Sequence, residues 1–160
     1  MRFRLAITVA ALALLAVAPA AAHANTVITF KELNKGSTFH FIDNAPKAKN
    51  PRNPSISMGD QFVFVNPLAN DKGEHAGKLR ATCTFTESAS SFEKGPSVVC
   101  YGVFSFFNGS IDAMVTIGNL NNKTTHGGIV GGTGAYAGAN GTLKSVTTKS
   151  GSNDTITLLG

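Results

Sequence analysis

The sequence predicts an all-β protein whose strands form an antiparallel barrel or sandwich. Short runs of β-branched and aromatic residues recur at near-regular spacing along the chain. Glycine, asparagine and proline residues separate these runs, as turns require. After residue 24 no segment shows the apolar period of an amphipathic helix. Closing the sheet into a barrel would remove its exposed edges.

Eight or nine strands follow from these runs when the chain is taken in order. The predicted strands cover residues 26–30, 37–42, 60–66, 79–86, 98–107, 111–117, 127–130, 142–148 and 155–159. The second strand ends at a turn before Pro46, and a loop rich in proline and lysine precedes the third. Pro67 is expected to end the third strand, because proline donates no ladder hydrogen bond. Asn108-Gly109 predicts a type I′ hairpin turn, which needs positive φ at both central positions.

Alternation within the strands predicts which side chains face the interior, because successive residues point to opposite sides. In the third strand Phe62, Phe64 and Asn66 share one face, and apolar residues on both faces indicate that both are covered. The buried faces of the fourth and sixth strands are predicted to be Leu79, Ala81, Cys83, Phe85, Ile111, Ala113, Val115 and Ile117.

A glycine-rich stretch over residues 131–141 predicts a tight connection between two strands. Glycine has no Cβ, so the backbone can turn sharply and approach neighbouring chain closely. The stretch formally fits part of a dinucleotide-binding fingerprint, but β-favouring residues follow it where that fingerprint needs a helix. We interpret it as a structural glycine corner, formed by Gly131, Gly132, Gly134, Gly138 and Gly141.

Residues 1–24 are typical of an export signal. Two arginines near the start precede an apolar run over residues 5–17, and residues 22–24 fit a small-x-small cleavage site. The apolar run is too short to span a bilayer. We therefore expect a secreted or periplasmic product with no membrane span, formed by a single β-barrel domain over residues 25–160.

Charge gives little support for a nucleic-acid partner, and we expect none. Without the two leader arginines, the fourteen basic residues fall to twelve against nine acidic ones, an excess of three. The basic run over residues 46–52 lies between prolines and lacks the interleaved aromatic residues on which bases stack. We interpret that run as a solvated loop.

Cys83 and Cys100 predict one disulfide, because export favours oxidation of a cysteine pair. Both lie inside predicted strands with sixteen residues between them, so a bridge across a hairpin is geometrically natural. Closing such a loop stabilises a fold by roughly 3 kcal/mol. The alternative is a free thiol that lines a cavity.

Metal binding is not expected, because the three histidines after the leader form no pair at ligand spacing. Among the acids, Asp43 and Asp60 lie in a turn and at a strand start, where aspartate bonds to nearby backbone. Glu87 and Asp112 are expected to face solvent. No metal or cofactor is therefore predicted.

Three segments together resemble the barrel that allene oxide cyclases and dirigent proteins share. They are Gly59-Asp60-x-Phe62-x-Phe64-x-Asn66-x-Leu68, then Cys83 within a strand, then Gly131-Gly132-Thr133-Gly134-x-Tyr136-x-Gly138-x-x-Gly141. The resemblance covers about residues 37–160. It implies an eight-stranded antiparallel closed β-barrel of calycin type that binds apolar or phenolic molecules without a metal or redox cofactor. The leader is similar to those of exported bacterial members.

Only some of the family's site residues have counterparts in this sequence. Asn66 falls where the cyclases have an asparagine that helps to hold a water, and Cys83 where they have a cavity cysteine. The cyclases carry a glutamate on their first strand, but the segment matched to it, residues 37–42, has no acid. The nearest position is His40. Asn66 and His40 are therefore the candidate catalytic residues.

The functional hypothesis is a barrel that binds an apolar or aromatic small ligand in its lumen, with Asn66 as a polar contact. The predicted ligand-binding aromatics are Phe39, Phe41, Phe62, Phe64, Phe104 and Phe106. One alternative is a cofactor-free cyclase (isomerase), or a dirigent-type guide that holds a reactive intermediate in one conformation. Another is a structural or surface protein whose barrel these aromatics simply fill. The sequence leaves open whether the chain forms a homo-oligomer.

Overall fold

The computed structural model describes residues 25–45, 47 and 55–160, and within them it shows nine β-strands and no α-helix. The predicted leader and most of the basic loop lie outside these residues. The strands are β1 (Thr26–Leu33), β2 (Thr38–Ile42), β3 (Gln61–Ala69), β4 (His75–Phe85), β5 (Val98–Phe106), β6 (Gly109–Ile117), β7 (Thr124–Gly134), β8 (Gly141–Thr148) and β9 (Gly151–Leu158). A single 3₁₀ turn, Phe92–Lys94, precedes β5.

The strands form one antiparallel sheet that closes on itself, so the barrel prediction is confirmed. From β3 to β9 each strand pairs with the next along the chain, and β9 pairs with β1 over its whole length. Closure comes from two residue pairs between β1 and β3, Lys31 with Ala69 and Glu32 with Leu68. Further along, β3 pairs with β2 instead. Eight strands therefore close the barrel, and β2 is an extra strand with a free edge.

Pro67 does not end β3, contrary to the prediction. The strand continues through Pro67 to Ala69, and Pro67 lies opposite Lys78 on β4. On the other side of β3 the pairing with β2 begins at Val65 and the pairing with β1 begins at Leu68. Proline is tolerated where a ladder is interrupted, and this position lies at such an interruption.

The hairpin between β5 and β6 is present, but its turn is one residue earlier than predicted. Phe107 and Asn108 form the turn, and Gly109 already pairs with Phe106. Among the described residues no residue other than glycine has positive φ, so the turn is not type I′. Gly109 is needed for a different reason, because a Cβ on it would collide with the carbonyl oxygen of Thr133.

The glycine corner is only partly a connection. Gly131, Gly132 and Gly134 belong to β7, and the turn to β8 spans only residues 135–140. A Cβ on Gly132 would meet the backbone carbonyl oxygens of Tyr136 and Ser110. The glycines thus let the turn fold back onto β7 and let β6 pass close beside it.

Two clusters of buried side chains occupy the two ends of the barrel. The corner cluster lies toward the turn after β7 and includes Phe30, Leu68, Phe104, Ile111 and Ile156. The disulfide cluster lies toward the opposite end and includes Ile56, Phe62, Cys83, Phe85, Val98 and Cys100. The corner cluster closes one end of the barrel, and the disulfide cluster fills part of the other end.

The predicted disulfide is present between β4 and β5. Cys83 and Cys100 lie directly opposite each other, with their Cα atoms 4.0 Å apart. Both are buried, and the Cys100 side of the bridge reaches the lumen. The bridge therefore fixes the register of two neighbouring barrel strands from inside.

Asp60 holds the two ends of the long loop between β2 and β3. It is fully buried, and its two carboxylate oxygens accept hydrogen bonds from the backbone N–H groups of Asn44 (2.8 Å) and Ser57 (2.7 Å). This geometry agrees with the structural interpretation of Asp60. No helix in the described part of the chain is long and apolar enough to cross a membrane.

Candidate functional site

A cavity of about 280 Å³ lies in the lumen between the two clusters. Its volume lies just below the usual range for ligand pockets, roughly 300–1,000 Å³. Strands β1, β3, β4, β5, β6, β7, β8 and β9 all contribute side chains to its wall. The cavity is therefore a property of the closed barrel rather than of any single loop.

The space exists because three small residues lie side by side in the wall. Ala81 on β4 pairs with Gly102 on β5, and Gly102 pairs with Ala113 on β6. All three face the cavity, so this row removes side-chain volume across three adjacent strands. Phe64 lies next to the row on β3 and Phe104 lies two residues from it on β5. This side of the cavity is apolar and partly aromatic.

The opposite side of the cavity is polar. Glu32 on β1 faces it together with Asn66 on β3, Ser145 on β8 and Ser152 on β9. Glu32 and Ser152 are direct partners across the β1–β9 ladder. Strand alternation explains this placement, because Ile28, Phe30 and Glu32 share the inward face of β1.

Glu32 is the centre of a hydrogen-bonded network. The Asn66 side-chain amide donates a hydrogen bond of 2.8 Å to Glu32 Oε2. The Glu32 carboxyl is also hydrogen bonded to the carboxyl of Asp154 on β9. Asp154 faces the barrel interior between Ser152 and Ile156, and 2% of its surface is exposed. There it accepts hydrogen bonds from Ser152, at 3.2 and 3.3 Å, and from Ser145.

The pKa values of both carboxyl groups are raised. Burial raises the pKa of Glu32 from its ordinary 4.5 to about 8, and the negative charge of Asp154 adds to this rise while the Asn66 hydrogen bond opposes it. Burial also raises the pKa of Asp154, but hydrogen bonds from Ser145, Glu32 and Ser152 oppose that rise. Two hydrogen-bonded carboxyls cannot both ionise cheaply in a buried site. At neutral pH Glu32 therefore carries the proton and Asp154 the charge.

One end of the cavity is lined by exposed polar residues. Asn34 follows β1, Asn122 lies in the connection before β7, and Thr147 lies near the end of β8. The opposite end is closed by rings of the corner cluster, where Phe106 lies 5.6 Å from Phe30 and 5.7 Å from Tyr136 between ring centroids. A ligand would therefore enter between the β6–β7 and β8–β9 connections.

The predicted aromatic residues separate into four groups. Phe64 and Phe104 line the cavity, and Phe106 closes its corner end. Phe41 and Phe62 pack with Phe85 and Phe92, so they fill the barrel near the disulfide. Phe39 is 61% exposed and stacks on Phe62 at the free edge of β2, with ring centroids 5.5 Å apart.

The two candidate catalytic residues are placed differently. Asn66 lines the cavity and binds Glu32, as a lumen role requires. His40 is exposed on β2, where it pairs with Val63 and lines a second pocket, of about 400 Å³, together with residues of β3, β4 and β5. His40 is thus separated from the lumen by the strand that carries it. Residues able to form a metal cluster are absent from the described part of the chain.

Glu32 and Asp154 are the site residues that sequence reasoning missed. The resemblance was matched from residue 37, so residues 37–42 stood for the first barrel strand and no acid was found. The first barrel strand is β1, and it carries Glu32. The signal was present, because Ile28, Phe30 and Glu32 alternate on one face, as do Asp154 and Ile156.

No protein-family model and no curated protein sequence matches the chain. Solved structures do share its fold. Pyocyanin demethylase is 22% identical, covers 83% of this chain and 99% of its own, and superposes with a TM-score of 0.66. The pterocarpan synthase dirigent protein PsPTS1 is 15% identical over 86% and 96%, with a TM-score of 0.57. AbnU, an exo-specific intermolecular Diels-Alderase, is 15% identical over 86% and 100%, also at 0.57. The chain thus has the barrel fold of dirigent and cyclase-type proteins.

Proposed function

We propose that the barrel binds an apolar or aromatic small molecule in its lumen and transfers a proton to or from it without a cofactor. The observation that carries this proposal is a protonated, partly buried carboxyl, Glu32, that faces a cavity whose other side is apolar. A packed structural barrel has no need for either feature. Titratable groups with strongly shifted pKa values in clefts are typical of functional sites.

Glu32 has the properties of a general acid. Its pKa of about 8 keeps it protonated at neutral pH and close enough to that pH to release the proton readily. Asn66 and Asp154 fix its carboxyl group through hydrogen bonds and act as positioning residues. The acid then faces any ligand that rests on Phe64 and Phe104.

The reaction class that fits is an isomerisation or cyclisation. Protonation by Glu32 and proton return to it leave the ligand's atom count unchanged, and confinement selects one conformation of a reactive species. The names of two structural neighbours, a synthase dirigent protein and a Diels-Alderase, support chemistry inside such a barrel. The proposed enzyme is therefore a cofactor-free isomerase or a dirigent-type guide.

The proposed setting is outside the cytoplasm, with residues 25–160 as one exported barrel domain. The disulfide between Cys83 and Cys100 supports it, because such bonds persist in oxidising compartments. The leader pattern of residues 1–24 supports it independently.

Binding of a neutral aromatic probe, 1-methylnaphthalene, tests the lumen. We expect saturable binding with one probe per chain, followed by fluorescence. Ala81→Leu inserts a side chain into the row of small residues and should weaken binding by roughly tenfold or more, because it occupies the cavity. Thr82→Leu on the outer face of the same strand is the matched control and should bind normally. Absence of saturation, or equal binding by Ala81→Leu, contradicts the proposal.

A further inference from the structure

The lumen is charged on one side only. Its polar side contains the carboxyl of Glu32, which is hydrogen bonded to the buried carboxyl of Asp154. None of the described residues that line the cavity is a lysine, arginine or histidine. The cavity therefore has an acidic pair and no basic group to balance it.

Asp154 is an ionised group whose local compensation comes from hydroxyl and carboxyl donors alone. Ser145, Ser152 and protonated Glu32 donate to it, and 98% of its surface is withdrawn from solvent, since 2% is exposed. A buried charge without an opposite charge is costly, and Coulomb interactions are strong where the dielectric is low. A positive charge placed in the cavity would reduce that cost, whereas a negative one would add to it.

The apolar side suits the same ligand. Phe64 and Phe104 present aromatic rings to the cavity, and aromatic rings attract cations through their π-faces. A flat aromatic frame fits a space bounded by rings and by the row Ala81, Gly102 and Ala113. The geometry thus offers an acidic contact and an aromatic contact on facing sides.

We propose that the lumen selects ligands with a positive charge on an aromatic frame and rejects anionic ones. This inference rests on the proposed function, because it names the class of ligand for the same cavity. It excludes a fatty-acid carboxylate as occupant, although a neutral phenol remains acceptable. The charge of the bound ligand would lie against Glu32 and Asp154.

The preference of the lumen for cationic ligands should increase as the pH rises. When the pH rises through the pKa of Glu32, about 8, the pair gains a second negative charge. The groups that bond to Glu32 or Asp154 are Asn66 on β3, Ser145 on β8 and Ser152 on β9, and none of them is basic. Nothing in this shell therefore cancels the new charge, and affinity for a cation rises.

Three bicyclic probes of nearly equal size test the inference with the whole exported chain: 1-methylquinolinium (cationic), 1-methylnaphthalene (neutral) and 1-naphthoate (anionic). We expect 1-methylquinolinium to bind roughly tenfold more tightly than the neutral probe, and 1-naphthoate not to bind. Asp154→Asn should abolish the preference but retain neutral binding. Glu32→Gln should keep the preference at pH 7 and lose its increase above pH 8.

The outcomes separate the two proposals. Equal affinity for the cationic and neutral probes, or tighter binding of 1-naphthoate, overturns the charge inference and leaves lumen binding intact. Failure of all three probes overturns both. If Asp154→Asn does not fold, as judged by circular dichroism, Glu32→Gln decides alone, and an unchanged pH dependence in that variant overturns the inference.

Discussion

Glu32 keeps its proton because its surroundings favour the neutral carboxyl. Desolvation in the barrel and the neighbouring charge of Asp154 both raise its pKa, and one hydrogen bond from Asn66 is too weak to reverse them. The same environment leaves Asp154 ionised, since three donors point at it. Two like residues thus acquire different protonation states and different roles.

Glu32→Gln should make the stability of the protein less dependent on pH. Between about 4.5 and about 8 the unfolded chain loses the Glu32 proton while the folded chain retains it, so the free energy of unfolding falls as pH rises. Glutamine has no proton to lose and can still accept from Asn66 and donate to Asp154. Relative to wild type, the variant should gain up to about 1.4 kcal/mol per pH unit in this window.

Urea denaturation from pH 5 to pH 9 measures this difference. The gap between the two proteins should widen with pH and become constant above pH 9. Glu74→Gln on the exposed turn before β4 is a control that keeps the wild-type slope. Parallel curves for Glu32→Gln and wild type would show that the carboxyl ionises normally in the folded protein.

Residue roles could be predicted where local pattern decides them. Cys83, Cys100, Asn66 and Phe64 lie where strand alternation places them. Glu32 was missed because the predicted strand ended at Phe30, before the acid that follows on the same face. His40 was selected because the resemblance was matched one strand too late, to β2 instead of β1. A buried carboxyl is recognisable only when its partner, 122 positions away at Asp154, is known to be adjacent.

At the scale of an element, β7 shows why its glycines are required at some positions and not at others. Gly132 faces two backbone carbonyl groups that cannot move without disturbing β6 or the following turn. Gly128, four residues earlier on the same strand, has open space where its Cβ would be. A substitution at Gly128 can therefore serve as the control for the same substitution at Gly132.

Gly132→Ala should destabilise the protein, by about 1–3 kcal/mol, because the added methyl group overlaps the carbonyl oxygens of Tyr136 and Ser110. Gly128→Ala should change the free energy of unfolding by less than about 0.5 kcal/mol. Thermal and urea denaturation of both variants measure this. Similar decreases in the free energy of unfolding of the two variants would mean that the effect comes from the loss of glycine flexibility. Overlap of the methyl group with the carbonyl oxygens would then not be the cause.

The existence and order of the strands could be predicted, whereas several boundaries could not. Turn signals located the gaps, yet β3 passes through Pro67 and the β5–β6 turn lies at Phe107 and Asn108. Both differences depend on the neighbouring strand: the interrupted ladder beside Pro67, and the close approach of Thr133 to Gly109. Neither the interrupted ladder nor the close approach can be inferred from the sequence of one strand.

The whole molecule depends on long-range closure, which the disulfide supports from within. Replacing both cysteines, Cys83→Ala with Cys100→Ala, should lower the free energy of unfolding by roughly 3 kcal/mol, because the unfolded chain regains the freedom of the closed loop. Urea denaturation of the variant and of wild type, with and without reductant, checks this. Wild type should approach the variant only when reduced, and equal stability of the two oxidised proteins would contradict the expectation.

The all-β class was predictable because alternating strands and turn residues leave a regular trace in the sequence, whereas the choice of a closed barrel over a sandwich came from the resemblance. The cavity was not, because it depends on Ala81, Gly102 and Ala113 becoming neighbours across three strands. Each is unremarkable in its own segment, and only their register creates the space.

Among the described residues, just two of β1, Lys31 and Glu32, pair with β3 and turn the sheet into a tube. Glu32 therefore lines the cavity and is also one of the two residues that close the sheet. Because the same residue lines the cavity and closes the sheet, we expect ligand binding in the lumen and the pairing of β1 with β3 to affect each other.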